Sequence, residues 1–151
     1  MAIDMKQASR RLIEEAFGKG NLGAFDEICA ADYRSHDPFT GDASLQQGKE
    51  LCRAYRAAFS DLKPTILAAF AEGETVVLHW RMTGRHTGTL QGIAPSGAAC
   101  MVEGISIDRY QGGRLAESWN QWDALGLLRQ VGVAPSLQAT PGARPAERRP
   151  T

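Results

Sequence analysis

Gly112-Gly113-Arg114-Leu115-Ala116-Glu117-Ser118-Trp119-Asn120-Gln121-Trp122-Asp123 is the stretch on which the reading of this chain turns. The glycine pair makes a tight turn, and a strand leaves it carrying polar groups beside two tryptophans. Trp, Asn, Gln and Asp are costly to bury without hydrogen bonds, so this mixture lines a pocket or ties down a chain end. Side chains alternate along a strand. Ser118, Asn120 and Trp122 therefore share one face, while Glu117 and Asp123 share the other.

Working back toward the N-terminus, Pro64–Ala71, Thr75–His86 and Ala98–Tyr110 also read as strands, separated by Glu72-Gly73, Pro95-Ser96-Gly97 and Gln111-Gly112-Gly113. The first half has a different period. Ala8, Leu12, Ala16 and Phe17 are spaced for a helix over 5–18, which Gly18 and Gly20 end. Asn21 is placed to cap a second helix holding Leu22, Phe25, Ile28 and Cys29. Tyr33-Arg34-Ser35-His36-Asp37-Pro38 is extended and broken by proline. A third helix begins at Ser44, with Leu51, Ala54, Tyr55, Ala58 and Phe59 as its apolar stripe. Helices first and antiparallel strands afterwards predict an α+β domain, its helices packed on one face of a curved, mostly antiparallel sheet. Residues 1–133 form that domain, and the Pro/Ala/Arg-rich tail 134–151 is expected to be disordered.

Composition narrows the function. Seventeen basic and seventeen acidic residues cancel, which argues against nucleic acid or a membrane surface as partner. No apolar run approaches the ~20 residues of a membrane span. Cys29, Cys52 and Cys100 are odd in number and lack CxxC spacing, which fits a reducing cytoplasm. His79 and His86 are seven residues apart on one strand, on opposite faces and roughly 23 Å apart at full extension, so a shared metal is not expected. No dinucleotide fingerprint opens a helix after a strand, and no cofactor is expected.

Four features together resemble the SnoaL-like polyketide cyclases within the nuclear transport factor 2-like fold. They are the helical start ending in Phe17-Gly18, Tyr33–Pro38, Gly84-Arg85-His86-Thr87-Gly88, and the Gly113–Gly132 block. The resemblance implies a cone-shaped α+β barrel around a small-molecule cavity. It also implies that the position of the aspartate acting as acid/base in the family's aldol cyclases is Asn120, and that of its histidine partner is Ser106. An amide does not titrate near neutral pH, so Asn120 cannot accept a proton as a carboxylate would.

That departure shapes the functional expectation. The first reading is a cofactor-independent hydroxylase of an aromatic, anthracycline-type polyketide in antibiotic biosynthesis. Molecular oxygen would be co-substrate, a reductase is a candidate partner, and Asn120, Ser106 and His36 would be the polar groups at the reacting centre. Trp80, Tyr55, Phe59, Trp122, Ser118 and Asp123 are the substrate-binding candidates, Asp123 with a competing role as cap of the turn at Ala124-Leu125-Gly126. Aldol cyclisation, with Asp123 or His36 as base, stands second. A non-catalytic module for apolar metabolites stands third. If Ser106 looks inward, Ile105 and Ile107 look out, which predicts a homodimer joined sheet to sheet.

Overall fold

The computed structural model describes residues 3–134. The tail expected to be disordered lies, Ala134 apart, outside the described residues. Helix α1 (Met5–Leu12) is capped by Asp4, whose side chain accepts from the Gln7 N–H, and continues as a wider π-helical turn over Ile13–Gly18. Helix α2 (Gly23–Ile28) follows. Its N-cap is Leu22 rather than Asn21, because the Asn21 side chain reaches back to Glu15 instead. Strands β1 (Cys29–Asp37) and β2 (Gly41–Ser44) form a hairpin. Helix α3 (Leu45–Ala58) starts in a capping box: Gln47 N–H donates to Ser44 Oγ, and Ser44 N–H donates to Gln47 Oε1. That reciprocal pair satisfies two donors the helix would otherwise leave bare.

Strands β3 (Phe59–Glu72), β4 (Thr75–His86), β5 (Ala99–Gln111) and β6 (Arg114–Trp122) complete one six-stranded sheet in the order β2-β1-β6-β5-β4-β3. β3 begins at Phe59, five residues earlier than the sequence suggests, so Phe59 opens a strand and does not close α3. Pro64 inside it is tolerated because β3 is an edge strand, where a missing N–H interrupts no ladder. Gly112 and Gly113 have φ of 60° and 79° and form the two-residue turn into β6, where both central residues need positive φ. A short helix α4 (Ala124–Gln130) closes the described fold.

All neighbouring pairs are antiparallel except β1 and β6, which run parallel. This exception positions the site, because it brings the C-terminal ends of β1 and β6, Asp37 and Trp122, to the same edge of the sheet. Leu12, Ile13 and Phe25 from the helices pack on Val76, Leu78 and Leu115 of the sheet to form the main core. A second cluster at the other end joins Phe59, Leu90 and Cys100 to Leu127 and Val131 around α4.

Candidate functional site

Between helices and sheet lies a cavity of about 170 Å³. Its sheet wall is built from cross-strand pairs of β5 and β6. Asp108 stands opposite Ser118, Ser106 opposite Asn120, and Gly104 opposite Trp122. All six are on the inward face, as strand alternation requires. Met101, Ile105 and Ile107, at the odd positions between, are 50%, 48% and 41% exposed on the outer face.

Each rung has its own chemistry. In the first, Ser118 Oγ donates to Asp108 Oδ1 at 2.7 Å, and Ser9 Oγ from α1 pairs nearby with the Tyr110 hydroxyl at 2.7 Å. Asp108 is buried, and loss of water raises its carboxyl above the ordinary carboxylate range despite hydrogen bonds from Ser9 and Ser118. In the second rung, Trp80 Nε1 donates to Ser106 Oγ at 2.9 Å, which in turn donates to Asn120 Oδ1 at 2.7 Å. With the Asn120 oxygen accepting from Ser106, its Nδ2 is identified as the donor end of the amide. In the third rung, the bare Gly104 makes room for the Trp80 indole and the Cβ of Trp122. A Cβ there would lie 2.4 Å from Trp80 Cζ2 and 2.6 Å from Trp122 Cβ.

Beyond the third rung is a second carboxylate. Asp37 Oδ2 accepts from Trp122 Nε1 at 2.9 Å, while Oδ1 accepts from the backbone N–H groups of Phe39 and Thr40 at 2.8 and 3.0 Å. A carboxylate offers about four acceptor positions, so roughly one remains for a ligand. Tyr55 of α3 and Phe59 of β3 complete this end of the cavity wall. Burial raises the Tyr55 hydroxyl well above the usual phenol range, and the Asp37 charge adds to the effect.

Of the residues singled out in the sequence, Asn120, Ser106, Ser118, Trp80, Trp122, Tyr55 and Phe59 line this cavity. His36 and Asp123 do not. His36 is on the outer face of β1, with Nε2 2.7 Å from Glu117 Oε2, Nδ1 2.8 Å from Asp42 Oδ1, and its ring stacked on Trp119. Alternation explains it: Tyr33, Ser35 and Asp37 take the inward positions of β1, leaving His36 outside. Asp123 caps α4, accepting from Gly126 N–H at 2.8 Å.

Comparison with families of known proteins decides the ancestry of this architecture. The model of the SnoaL-like polyketide cyclase family matches residues 7–131. The chain belongs to the SnoaL-like polyketide cyclase family. Among solved structures it is similar to a putative polyketide cyclase from Acidithiobacillus ferrooxidans, at 30% identity and a TM-score of 0.75, covering 89% of this chain and 100% of that one. It is similar to TsrD from Streptomyces laurentii at 27% identity and a TM-score of 0.75, covering 85% and 97%. AclR, a putative hydroxylase from Streptomyces galilaeus, shares the fold at 21% identity and a TM-score of 0.76, covering 89% of each chain. Comparison with curated proteins returns no match. No helix among the described residues is long and apolar enough to cross a membrane.

The structure joins Asn120 and Ser106, the positions to which the resemblance assigned the cyclases' acid/base pair, to Trp80 in a chain without a titratable group. The cavity nevertheless contains two carboxylates, Asp37 and Asp108, that the sequence reading passed over as site residues. Asp108 was within reach: the alternation Val102, Gly104, Ser106 on β5 continues to it. Asp37 offered no such signal, since its place depends on which strand β1 pairs with.

Proposed function

We propose that this chain is an enzyme acting on an aromatic polyketide or similar polycyclic ketone, and that its chemistry is proton transfer at Asp37. The single observation that carries this reading is a carboxylate on the cavity wall, oriented by Trp122 and two backbone N–H groups. Asp37 takes the place that His36 and Asp123 were expected to fill. It removes a proton from a carbon next to a carbonyl, and the C–H electron pair passes into an enolate. The enolate carbon attacks a second carbonyl of the same molecule, forming the C–C bond, and the resulting alkoxide takes the proton back. The likeness at 30% identity to a putative polyketide cyclase supports this ring closure.

A second reading is cofactor-independent hydroxylation. It is favoured by the Trp80–Ser106–Asn120 chain, whose neutral dipoles suit holding a polyphenol anion rather than moving its protons. A reduced polyphenol would pass electrons to dioxygen, keep one oxygen atom, and release the other as water with two electrons from a reductase.

The test is to incubate the protein with an anthracycline-type precursor, with and without oxygen and reductant, and weigh the products. Ring closure without oxygen, lost in Asp37→Asn, supports the first reading. A product heavier by one oxygen atom, formed only aerobically and lost in Asn120→Ala, replaces it with the second. Binding without turnover leaves a metabolite-binding module.

A further inference from the structure

We propose that the Tyr55 hydroxyl is the donor for a substrate carbonyl oxygen, which makes a cyclic aryl ketone with a C–H beside its carbonyl the ligand class of this cavity. The proposal deepens the Asp37 reading and rests on it for the fate of that C–H.

Several polar groups on the wall are engaged with one another: Ser9 with Tyr110, Ser118 with Asp108, Ser106 with Trp80 and Asn120, Asp37 with Trp122. Tyr55 is different. Its hydroxyl is shielded from solvent and has no hydrogen-bond partner among the described residues. A buried donor left unpaired penalises the folded state by roughly five- to a hundredfold in equilibrium constant, and phenylalanine would fill the same ring volume without that penalty. A hydroxyl retained at this cost on the wall of a ligand cavity is accounted for by a bond made only when the ligand is present.

The neighbourhood selects the ligand atom. Burial first, and the Asp37 charge second, raise the Tyr55 hydroxyl and favour its protonated, donating form, and both side chains line the same cavity. An electron-rich oxygen is repelled by the carboxylate and attracted by the hydroxyl. A ketone therefore places its oxygen at Tyr55, and the carbon beside the carbonyl becomes the group offered to Asp37. As that carbon loses its proton, charge grows on the oxygen, and the Tyr55 hydrogen bond strengthens. Because the hydroxyl is closed to water, the ligand reaches it by displacing part of the apolar wall around it.

The experiment uses the whole protein, its Tyr55→Phe and Asp37→Asn variants, and two probes, 1-tetralone and its ketone-free analogue tetralin. Thermal unfolding without ligand, binding of each probe, and deuterium exchange at the tetralone carbon beside the carbonyl are measured. The expected result is that Tyr55→Phe unfolds at a higher temperature than the parent, yet loses roughly five- to a hundredfold of its preference for tetralone over tetralin. Asp37→Asn keeps the preference and stops the exchange. A wild-type protein that does not prefer tetralone, or a Tyr55→Phe variant that keeps the full preference or unfolds at a lower temperature, overturns the proposal. Tyr55-dependent preference without any Asp37-dependent exchange leaves the donor role standing and removes the proton-transfer reading instead.

Discussion

Trp122 donates its indole N–H to the Asp37 carboxylate at 2.9 Å, joining the last residue of β6 to the last residue of β1 across 85 positions of sequence. The bond exists because β1 and β6 are parallel neighbours, so both strands end at the same edge of the sheet. It turns an ordinary strand-terminal aspartate into an oriented group on the cavity wall. Asp37→Asn keeps an acceptor for the indole and removes the carboxylate proposed as base. Turnover is expected to fall by about 10²- to 10⁴-fold with substrate binding largely retained, measured by steady-state kinetics and direct binding.

Asp108 gives the fold a pH dependence of its own. Its folded carboxyl is raised by burial, so the stability it contributes is complete below the ordinary carboxylate range and is lost as pH rises through the raised value. Asp108→Asn removes the buried ionisable carboxyl and still accepts from Ser118. Its melting temperature is expected to match or exceed the parent's near neutral pH and to vary less with pH. Ser118→Ala, which strips the carboxyl of a partner, is expected to cost about 1–3 kcal/mol in denaturant unfolding.

His36 titrates on the opposite face of the sheet. Hydrogen bonds first to Glu117 and then to Asp42 raise its pKa, while His36 and then Arg109 lower that of Glu117. The histidine's share of stability is present below its ordinary value and lost as pH rises through the raised one. The glutamate's is present above its ordinary value and lost as pH falls through the lowered one. Glu117→Gln is expected to bring the His36 pKa down, read from its ring resonances by NMR, with little change in turnover.

Gly104 is the point where the Trp80 indole meets the base of the Trp122 side chain. Gly104→Ala puts a methyl group into space held by the Trp80 ring and the Trp122 Cβ, so the Trp80 ring or the strand beside it must move. A loss of about 1–3 kcal/mol in unfolding free energy is expected, together with weaker substrate binding. Near-native stability and affinity would show that the Trp80 ring yields at little cost.

The outer face offers a continuous apolar row. Phe70, Val77, Ile107 and Trp119 are successive cross-strand partners from β3 to β6, and Phe70 is 64% exposed. A sheet-to-sheet homodimer through this row is the expected assembly. Sedimentation should show a dimer for the parent chain and a monomer for Ile107→Glu; a monomeric parent at micromolar concentration would refute it.

Periodicity made much of this legible. The alternation along β5 and β6 placed Ser106, Ser118, Asn120 and Trp122 on one face and Ile105 and Ile107 on the other, and Ser44 marked the start of α3. What periodicity could not show was register between distant strands. His36 and Asp37 are adjacent in an irregular, proline-bounded segment, and nothing local says which of them faces the helices.

The sequence by itself determined that helices precede a set of strands, and which residues within β4, β5 and β6 share a face, because those depend on side-chain alternation and local backbone preference. Tertiary structure alone decided which titratable groups share the cavity. Parallel pairing of β1 with β6 carries Asp37 to Trp122 and Tyr55 while leaving His36 outside. Burial under α1 turns Asp108 from one more strand carboxylate into one whose pKa is raised above the ordinary range. Both effects arise from groups far apart in the chain, through exclusion of water and the geometry of long-range strand pairing, and neither has a local signature.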